Sequence, residues 1–509
     1  MTKEEFAVQA WKESALPVFP GGGDHPFWNP ETAQFLYAPS FCFSPMPGAE
    51  RYRFSAADET GKTHVFDAPT PRADLSPIWC DIPAGVVTLT VYALDGDGVP
   101  TCPVGCRTFF RLSPFPADLP PAARGYREAS AAALDFAMTQ DFLLHWLQTG
   151  TPDPDYDLNV YPSKMISAII RAMISYAGIR PEKAEDAMKI ARNAADYLIG
   201  ITADSGPMAG IPPTYQLDFR PEPEKRHNAI AGERIDWCMM IYPPTVGLAY
   251  LELEEKTGDR RYLDAALGIG NYLREHVEPC GTWYLIRHIK TGEVLKQDLC
   301  NPLEVIVPFL LKLRKRTGED AWKTLADNAA AYVENVLLPV RNFGGQFEDT
   351  CCSVHYDNLS HYPATALVRY YAENFPNDPE RMALAEELMR FAEDQFIIWK
   401  RPAPWHKNGF DTSKWLTPCG LEQYTWYVPI DASTADLALT FLALYRAGRG
   451  DLYLEKARAL ADAVTRAQQP RGLIPTHWLN EETLGGSDFW INCHFSAARM
   501  LAVLADFKE

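Results

Sequence analysis

The chain has 509 residues, of which 47% are hydrophobic and 22% charged, and its formal net charge is −18. This composition is typical of a globular protein, and the length predicts about two to four domains unless a repeat architecture is present. The acidic balance excludes nucleic acid as the main partner, because phosphate binding needs a surplus of Lys and Arg. The negative net charge also disfavours an anionic membrane surface as a binding partner.

Targeting and metal-binding signals are missing from the sequence. The first residues, "MTKEEFAVQAWKESALPVFP", contain no basic segment followed by an apolar one, and no stretch has the length and apolarity of a membrane span. The 11 cysteines are scattered and lack the spacing of a metal finger. We therefore predict a cytoplasmic protein with free thiols, without a metal site and without a cofactor.

The first 115 residues carry strand and turn signals. "RYRFSAADETGKTHVF" alternates on both sides of a Gly-containing turn, and "GVVTLTVYALDGDGVP" alternates before Asp-Gly turns. Such patterns are typical of β-hairpins. They predict an N-terminal β-sandwich at 1–115, whose pattern resembles a fibronectin type III-like module. A Pro-rich linker is predicted at 116–125, followed by a helical domain at 126–509.

The helical part alternates between two kinds of helix. One kind is amphipathic and rich in Ala, as in "AMKIARNAADYLIG" and "LYLEKARALADAVTRA". The other is more apolar and recurs six times, at 161–177, 243–255, 303–313, 362–372, 435–447 and 489–504. Self-similarity at a regular period indicates an array of helical hairpins. Six hairpins predict a mainly α fold, an (α/α)6 toroid with the apolar helices inside; the alternative is an open α-solenoid.

The loops that precede the apolar helices are long and rich in aromatic residues and acids. Each has an acid near the helix start: Asp157, Asp236, Asp298, Glu348 or Asp349, Glu422 and Asp488. An acid at a helix N-terminus is ordinarily a cap. Loops of more than about a dozen residues in a compact domain are, however, usually functional. Aromatic and acidic side chains on one face fit a carbohydrate site, where a carboxylic acid protonates the glycosidic oxygen.

A short motif supports this interpretation. "DWCMM" at 236–240 and the turn formed by Thr257, Gly258, Asp259, Tyr262 and Ala265 resemble the unsaturated glucuronyl hydrolases and the related six-hairpin glycosidases, which include β-glucuronidases. The resemblance implies a glycoside hydrolase that removes a terminal uronic acid, saturated or unsaturated. The family's key aspartate falls on Asp236, and Asp157 is the positional match to a second one, although the family's His-Asp signature is replaced here by "DYDLNVYP".

The residue types around Asp236 are compatible with this role. Trp237, Met239 and Met240 would desolvate the carboxyl and raise its pKa, whereas a helix N-terminus would lower it. Asp236 is therefore the predicted principal acid, and Glu348, Asp349 or Asp157 is its partner. Substrate-binding candidates are the loop residues that could stack on a sugar, pair with a uronate or move a proton: Arg234, Trp237, Trp283, Arg287, His355, Tyr356, His361, Trp426, Trp478, Trp490 and His494.

The predicted partner is an oligosaccharide, and the sequence leaves a homo-oligomer open. Two alternatives remain for the function. A polysaccharide lyase or a sugar epimerase on the same toroid would use His355, Tyr356 or His361 as a base beside a carboxylate. A non-catalytic carbohydrate-binding helical array would show binding without turnover, because a fold does not by itself imply a reaction.

Overall fold

A computed structural model describes residues 1–18, 32–217, 229–350 and 358–507. The described residues are mainly α-helical. A smaller β-containing unit near the N-terminus precedes the helical array. Across the described ranges, none of the helices combines the length and the apolar character needed to cross a lipid bilayer.

The N-terminal unit is built around one five-stranded sheet. Its elements are α1 (Lys3–Glu13), β1 (Gln34–Phe35), β2 (Ser40–Cys42), β3 (Arg51–Asp58), β4 (Thr63–Ala68), β5 (Arg72–Asp74), α2 (Ser76–Trp79), β6 (Gly85–Leu94) and β7 (Pro100–Arg111). The sheet order is β1-β7-β6-β3-β4, with β1 parallel to β7 and the other neighbours antiparallel. The two predicted hairpins are confirmed as β3–β4 and β6–β7.

The predicted β-sandwich is not confirmed. The buried face of the sheet is covered by the two-stranded ribbon β2–β5 and by the short helix α2, so a second full sheet does not form in the described residues. Phe109 of β7 stacks on Phe41 of β2 at 5.6 Å between ring centroids and lies 6.1 Å from the Trp79 ring of α2. Prolines in "PTPRADLSPIW" interrupt strand pairing there and start α2 instead.

The helical part begins at Tyr126 and consists mostly of helix pairs. Its helices are α3 (Tyr126–Ala137), α4 (Asp141–Thr149), α5 (Pro162–Ile179), α6 (Ala184–Ile201), α7 (Ala229–Glu233), α8 (Pro243–Thr257), α9 (Arg260–Glu275), α10 (Ile306–Thr317), α11 (Asp320–Tyr332), α12 (Tyr362–Asn374), α13 (Pro379–Phe396), α14 (Asp431–Arg446), α15 (Asp451–Ala467), α16 (Glu481–Gly485) and α17 (Ile491–Leu504). Its short strands are β8 (Trp237–Met239), β9 (Ile286–His288), β10 (Ile397–Ile398) and β11 (Cys419–Gly420).

Six helices form an inner ring: α5, α8, α10, α12, α14 and α17. Four of them begin and end within two residues of the predicted apolar segments. The bounds of α10 and α14 differ from the predicted ones by up to four residues. They pack side by side in the order α10, α8, α5, α17, α14 and α12, and each except α17 packs on the outer helix that follows it in the chain. Residues from five of them, together with Asn301, Glu304 and Val305 just before α10, surround one central cavity. This is the arrangement of the predicted (α/α)6 toroid.

The N-terminal unit is attached to the outer ring through buried polar contacts. The Asp394 carboxylate at the end of α13 accepts hydrogen bonds from the backbone N–H groups of Leu36 and Tyr37, at 2.6 and 2.7 Å. The neighbouring Glu393 accepts from the Tyr37 hydroxyl and pairs with Lys456 of α15, each at 2.8 Å. The boundaries at 115 and 125 stay predictions.

Candidate active site

The central cavity lies on the axis of the toroid and has a volume of about 320 Å³. Such a volume is at the lower end of the range of small-molecule sites. Its wall is made of the N-terminal halves of the inner helices and of the loops that lead into them. Three of the inner helices (α5, α8 and α12) have proline at one of their first two positions, where the missing N–H costs no intrahelical hydrogen bond. The site is therefore at the end of the toroid where these helices begin.

Two glutamates line the cavity and hold protons near neutral pH. Burial raises the pKa of Glu422 to about 7, with added repulsion from Asp349 and Glu348 and opposing attraction from His477 and Lys164. Desolvation inside the toroid also raises the pKa of Glu304 to about 7, and the Asp436 carboxylate contributes to the rise. The Glu304 side chain lines the cavity and is exposed to it.

A third glutamate, Glu348, is ionised behind the cavity wall. Burial alone would raise its pKa, but the Lys164 ammonium and hydrogen bonding from the Tyr242 hydroxyl hold the pKa below its ordinary value. The backbone carbonyl of Glu348 accepts from the Tyr215 hydroxyl at 2.5 Å and from Arg234 at 2.6 Å. These contacts fix both ends of the residue and place Lys164 and Tyr242 against the cavity.

Deeper in the toroid, each inner helix contributes one charged side chain to what we call the charged belt. Its members are Arg171, Glu252, Lys312, Arg369, Asp436 and Arg499. They are four cations against two carboxylates, so the belt is positive overall.

Most of the belt is internally paired. Arg171 donates to Glu252 through two nitrogens at 3.0 Å each, Lys312 lies 3.3 Å from the same carboxylate, and Arg369 lies 2.6 Å from Asp436. Arg499 lines the cavity, is exposed to it and has no hydrogen bond or ion pair among the described residues. Burial and the nearby Arg171 lower its pKa.

The structure does not bring Asp236 to this cavity. Its carboxyl is about half-exposed, at 50% of its side-chain surface, and lies 3.7 Å from the Lys290 ammonium, next to the paired strands β8 and β9. The apolar run after it forms strand β8 and packs Met239 and Met240 into the core, while α8 begins only at Pro243. A strand, rather than a helix start, therefore follows Asp236.

The other predicted carboxylates lie in different surroundings. Asp157 is exposed at the start of a 3-10 helix and does not line the cavity. Asp349 is next to Glu348 and its side chain is exposed. Desolvation by the surrounding protein and the charge of Glu348 raise the pKa of Asp349. Of the predicted catalytic residues, Glu348 and Asp349 are thus next to the cavity, and Asp157 and Asp236 are not.

Four of the predicted binding residues belong to the core instead. Trp283 and Trp478 are fully buried and donate their indole N–H to the carbonyls of Leu273 and Pro475, so neither offers a ring face to a sugar. His494 is fully buried between backbone carbonyls, and burial lowers its pKa to about 4. His361 is fully buried with Nδ1 at 3.3 Å from Asp436 Oδ2, and burial lowers its pKa.

The remaining candidates differ in position. Trp490 lines the cavity and is half-buried, and the Lys164 ammonium lies 6.0 Å from the centroid of its ring. Trp426 is 41% exposed and follows the cavity-lining Gln423. Arg234 lies over the Trp237 ring at 5.1 Å, behind Glu348, and Arg287 is buried against the Gly292 carbonyl. His355 and Tyr356 lie outside the described residues.

Sequence reasoning missed several cavity residues. These residues lie within or beside the apolar helices, whereas the sequence motifs pointed to the loops: Lys164, Tyr242, Glu304, Asp436 and Arg499. The signal that could have found them is a single charged residue inside an inner-helix pattern, since buried charges are rare without a partner or a function. Within the described ranges, no group of three or more His, Cys, Asp and Glu side chains could hold a metal ion.

Neither a protein-family model nor a curated protein sequence matches the chain. Solved structures do. The cellobiose 2-epimerase of Spirochaeta thermophila superposes with a TM-score of 0.50 at 13% identity, over 75% of this chain and 98% of that one. A family 76 glycoside hydrolase from a bovine Bacteroides thetaiotaomicron strain has a TM-score of 0.48 at 11% identity, over 92% and 95%.

The unsaturated glucuronyl hydrolase of Streptococcus agalactiae has a TM-score of 0.47 at 10% identity, over 75% of this chain and 93% of that one. At such low identities the likeness concerns the fold alone. The epimerase superposition, whose TM-score reaches 0.50, agrees with the inner and outer rings of helices described above. The chain has the six-hairpin toroid fold.

Proposed function

We propose that this protein is a carbohydrate-processing enzyme, a glycoside hydrolase that removes a terminal uronic acid from an oligosaccharide. The observation that carries the proposal is the pair of glutamates that line one cavity, each with a pKa near 7. A group with such a pKa can both hold and release a proton at neutral pH, which is the requirement for general acid–base catalysis. Glycoside hydrolysis ordinarily uses a pair of carboxyl groups, one protonated and one ionised.

The orientation of the sugar follows from the charge distribution along the axis. Glu422 is at the loop end of the cavity, near Asp349 and His477, whereas Arg499 is in the charged belt. A terminal uronic acid with its carboxylate on Arg499 would direct its glycosidic bond toward Glu422. Arg binds carboxylates through two parallel hydrogen bonds, and an unpaired guanidinium has both available.

The roles of the residues follow from this orientation. Glu422 would protonate the glycosidic oxygen, so that the bond to the leaving sugar breaks as a neutral hydroxyl departs. Glu304 would take a proton from the attacking water. Trp490 would stack on a sugar ring, and Lys164 with Tyr242 would donate to its hydroxyls, since both line the cavity. Glu348 would keep those two donors in place rather than react itself.

The proposal transfers the acid role from Asp236 to Glu422. Asp236 is half-exposed beside Lys290 and lies outside the central cavity. Of the residues first assigned to the lyase or epimerase alternative, the His361 ring is fully buried, whereas His355 and Tyr356 lie outside the described residues. The uronic acid preference rests on Arg499 and on the resemblance of the 236–240 motif.

The first test measures which glycoside is cleaved. The purified protein would be incubated with nitrophenyl β-glucuronide, nitrophenyl β-glucoside and unsaturated uronic disaccharides, following nitrophenol release or loss of the enol-ether absorbance. We expect cleavage of at least one uronic substrate and much slower cleavage of the glucoside. Faster cleavage of the glucoside would contradict the uronic acid preference while supporting a hydrolase, and no cleavage of any substrate would contradict the hydrolase.

The second test compares Glu422→Gln, Glu304→Gln and Asp236→Asn on the best substrate. Both Gln variants should lower kcat by about 10²–10⁴-fold, the usual contribution of a positioned acid or base. Asp236→Asn should change kcat by less than about threefold, because an exposed ion pair contributes little. The loss in Glu422→Gln should be smaller for a nitrophenyl leaving group, which needs little protonation, than for a sugar. A large loss in Asp236→Asn alone would return the acid role to Asp236.

A further inference from the structure

The loop that carries Glu422 folds back on itself as a short hairpin at the cavity wall. Glu422 donates its backbone N–H to the Val428 carbonyl at 2.9 Å, and Trp426 donates its N–H to the Gln423 carbonyl at 3.0 Å. We call residues 421–429 the acid hairpin. Glu422 and Gln423 both line the cavity. The place of their side chains therefore depends on how the rest of the hairpin is held.

Two tyrosines attach the acid hairpin to its surroundings outside the cavity wall. The rings of Tyr424 and Tyr427 stand edge-on, 4.9 Å apart, and each lies 5.8 Å from the ring of Phe396 at the end of α13. The Tyr424 hydroxyl donates to Gln395 Oε1 at 2.5 Å, and the Tyr427 hydroxyl accepts from Gln34 Nε2 at 3.0 Å. The hairpin is thus bound both to the outer helix α13 and to strand β1 of the N-terminal unit.

The two glutamines that receive these tyrosines also bind each other. Gln34 Nε2 donates to the Gln395 backbone carbonyl at 3.3 Å, and Gln395 Nε2 donates to the Gln34 backbone carbonyl at 3.4 Å. The Thr32 hydroxyl donates to the Gln395 side-chain oxygen at 2.8 Å. Both glutamines are at most 2% exposed. Because a buried amide that loses a partner still bears its desolvation cost, the folded state retains these contacts.

Backbone bonds from the toroid fix other parts of the acid hairpin. Leu421 donates its N–H to the Phe396 carbonyl at 2.8 Å, and Tyr424 donates its N–H to the Leu359 carbonyl at 2.9 Å. The contact from Gln34 is at a different place, because Tyr427 directly precedes Val428. It therefore acts one residue from the bond that closes the hairpin on Glu422.

We propose that Gln34 of the N-terminal unit is a positioning residue, which holds the acid hairpin through Tyr427 and so keeps Glu422 in place at the cavity. A general acid has to lie within hydrogen-bond reach of the atom that it protonates. A misplacement of about 1 Å can lower a rate by about a hundredfold. The attachment of the hairpin is independent of the reaction, but its catalytic consequence rests on the proposed function.

The first measurement is hydrogen exchange of the acid-hairpin amides, followed by mass spectrometry of the full-length protein. Gln34→Leu removes the amide donor and keeps a side chain of similar size, and Tyr427→Phe removes only the hydroxyl. We expect each variant to exchange these amides about fivefold faster or more, the effect of one lost buried hydrogen bond. The double variant should exchange no faster than the faster single variant, because both changes remove the same contact.

The matched control is Tyr37→Phe. The Tyr37 hydroxyl donates to Glu393 at 2.8 Å, so this variant loses one buried hydrogen bond at the same junction but at another place. Its Tm should fall as in Gln34→Leu, while exchange in the acid hairpin should stay as in the native protein. Native exchange rates in both Gln34→Leu and Tyr427→Phe would overturn the inference, and so would equal acceleration in all three variants.

The second measurement is the rate of hydrolysis on the best substrate. Gln34→Leu and Tyr427→Phe should lower kcat by about tenfold or more with little change in KM, because the acid is displaced. The loss should be smaller for a nitrophenyl leaving group, as for Glu422→Gln, and Tyr37→Phe should keep the native kcat. Faster exchange with a native kcat would overturn the positioning role. Faster exchange in a protein that cleaves none of the glycosides would support the attachment and contradict the proposed function.

Discussion

Three glutamates around the central cavity have different proton affinities although their side chains are identical. Burial raises the pKa of Glu304 and Glu422, and no cation among the described residues contacts either of them, whereas the contacting Lys164 ammonium outweighs burial at Glu348 and lowers its pKa. The difference arises from partners on other helices and loops. At the residue scale, the site is therefore defined by which carboxyl group has a cation and which does not.

The pH dependence of hydrolysis follows from these values. Below pH 7 Glu304 is protonated and cannot accept a proton from water, and above pH 7 Glu422 is ionised and cannot donate one. The profile of kcat/KM should therefore be bell-shaped with a maximum near pH 7. It would be measured from about pH 5 to 9 on the best substrate, in which range the free enzyme's acid and base set both limbs.

The control for this profile is the residual activity of Glu304→Gln. That variant should keep the high-pH limb and lose the low-pH limb, because only the base has been removed. A flat profile in the native protein, or two limbs that survive in the variant, would show that neither glutamate titrates in the reaction.

At the element scale, the toroid depends on close approaches between neighbouring inner helices. Gly247 of α8 faces the Phe309 ring of α10, and an added Cβ would lie 2.3 Å from Phe309 Cε2. Glycine in the middle of a helix ordinarily weakens it by about 0.5–1 kcal/mol relative to alanine. The position keeps glycine because the aromatic ring occupies the space of a side chain.

Gly247→Ala should therefore destabilise the protein despite the better helix propensity of alanine. The Phe309 ring has to move, and overpacking of a core costs about 1–3 kcal/mol. The measurement is the apparent Tm from circular dichroism, which should fall. Gly178→Ala on the inner helix α5 is the matched control, because nothing lies within 4 Å of its added Cβ. The Tm of that control should be unchanged or slightly raised. A lower Tm in both variants would mean that the change in the helix backbone, and not the contact with Phe309, causes the loss of stability.

At the scale of the whole molecule, the sequence pattern predicts the helices well and the site poorly. The spacing of apolar residues depends only on residues close in sequence, and it predicted all six inner helices. The route of the chain around Asp236 depends on pairing between β8 and β9, which are separated by almost fifty residues, and no local pattern contains that information. Glu304 and Arg499 were missed for the same reason, since only the closed ring shows that they face one cavity.

Local sequence patterns also do not predict what covers the sheet of the N-terminal unit. Alternation predicted the two hairpins, each of which is a local pairing of adjacent strands. It could not predict that a helix and a ribbon, rather than another sheet, would cover Phe109. What covers a sheet face is decided by contacts between distant segments, so the number of layers is a property of the whole molecule.

The junction between the N-terminal unit and the toroid makes stability depend on pH. Burial raises the pKa of Asp394 to about 7, against the ordinary value of 3.8. The folded state then binds the proton more tightly than the unfolded state, so this group's contribution is fully present at low pH and is lost as pH rises to about 7. The difference of about three units corresponds to as much as about 4 kcal/mol.

Asp394→Asn should remove this dependence. The amide oxygen can still accept from the N–H groups of Leu36 and Tyr37, but the new NH₂ group faces the Gln395 amide that now donates to Asp394 at 2.6 Å. We expect the variant to be less stable than the native protein at pH 5, by about 1 kcal/mol for that lost hydrogen bond. At pH 8 it should be equally or more stable, because the native protein then buries an anion. Denaturant unfolding at both pH values measures the free energy of unfolding of the variant relative to the native protein. The control is Asp81→Asn at an exposed position, for which this difference should be the same at both pH values. Equal differences at pH 5 and pH 8 would mean that Asp394 is ionised throughout, and that the N-terminal unit is held by a charged rather than a protonated carboxyl group.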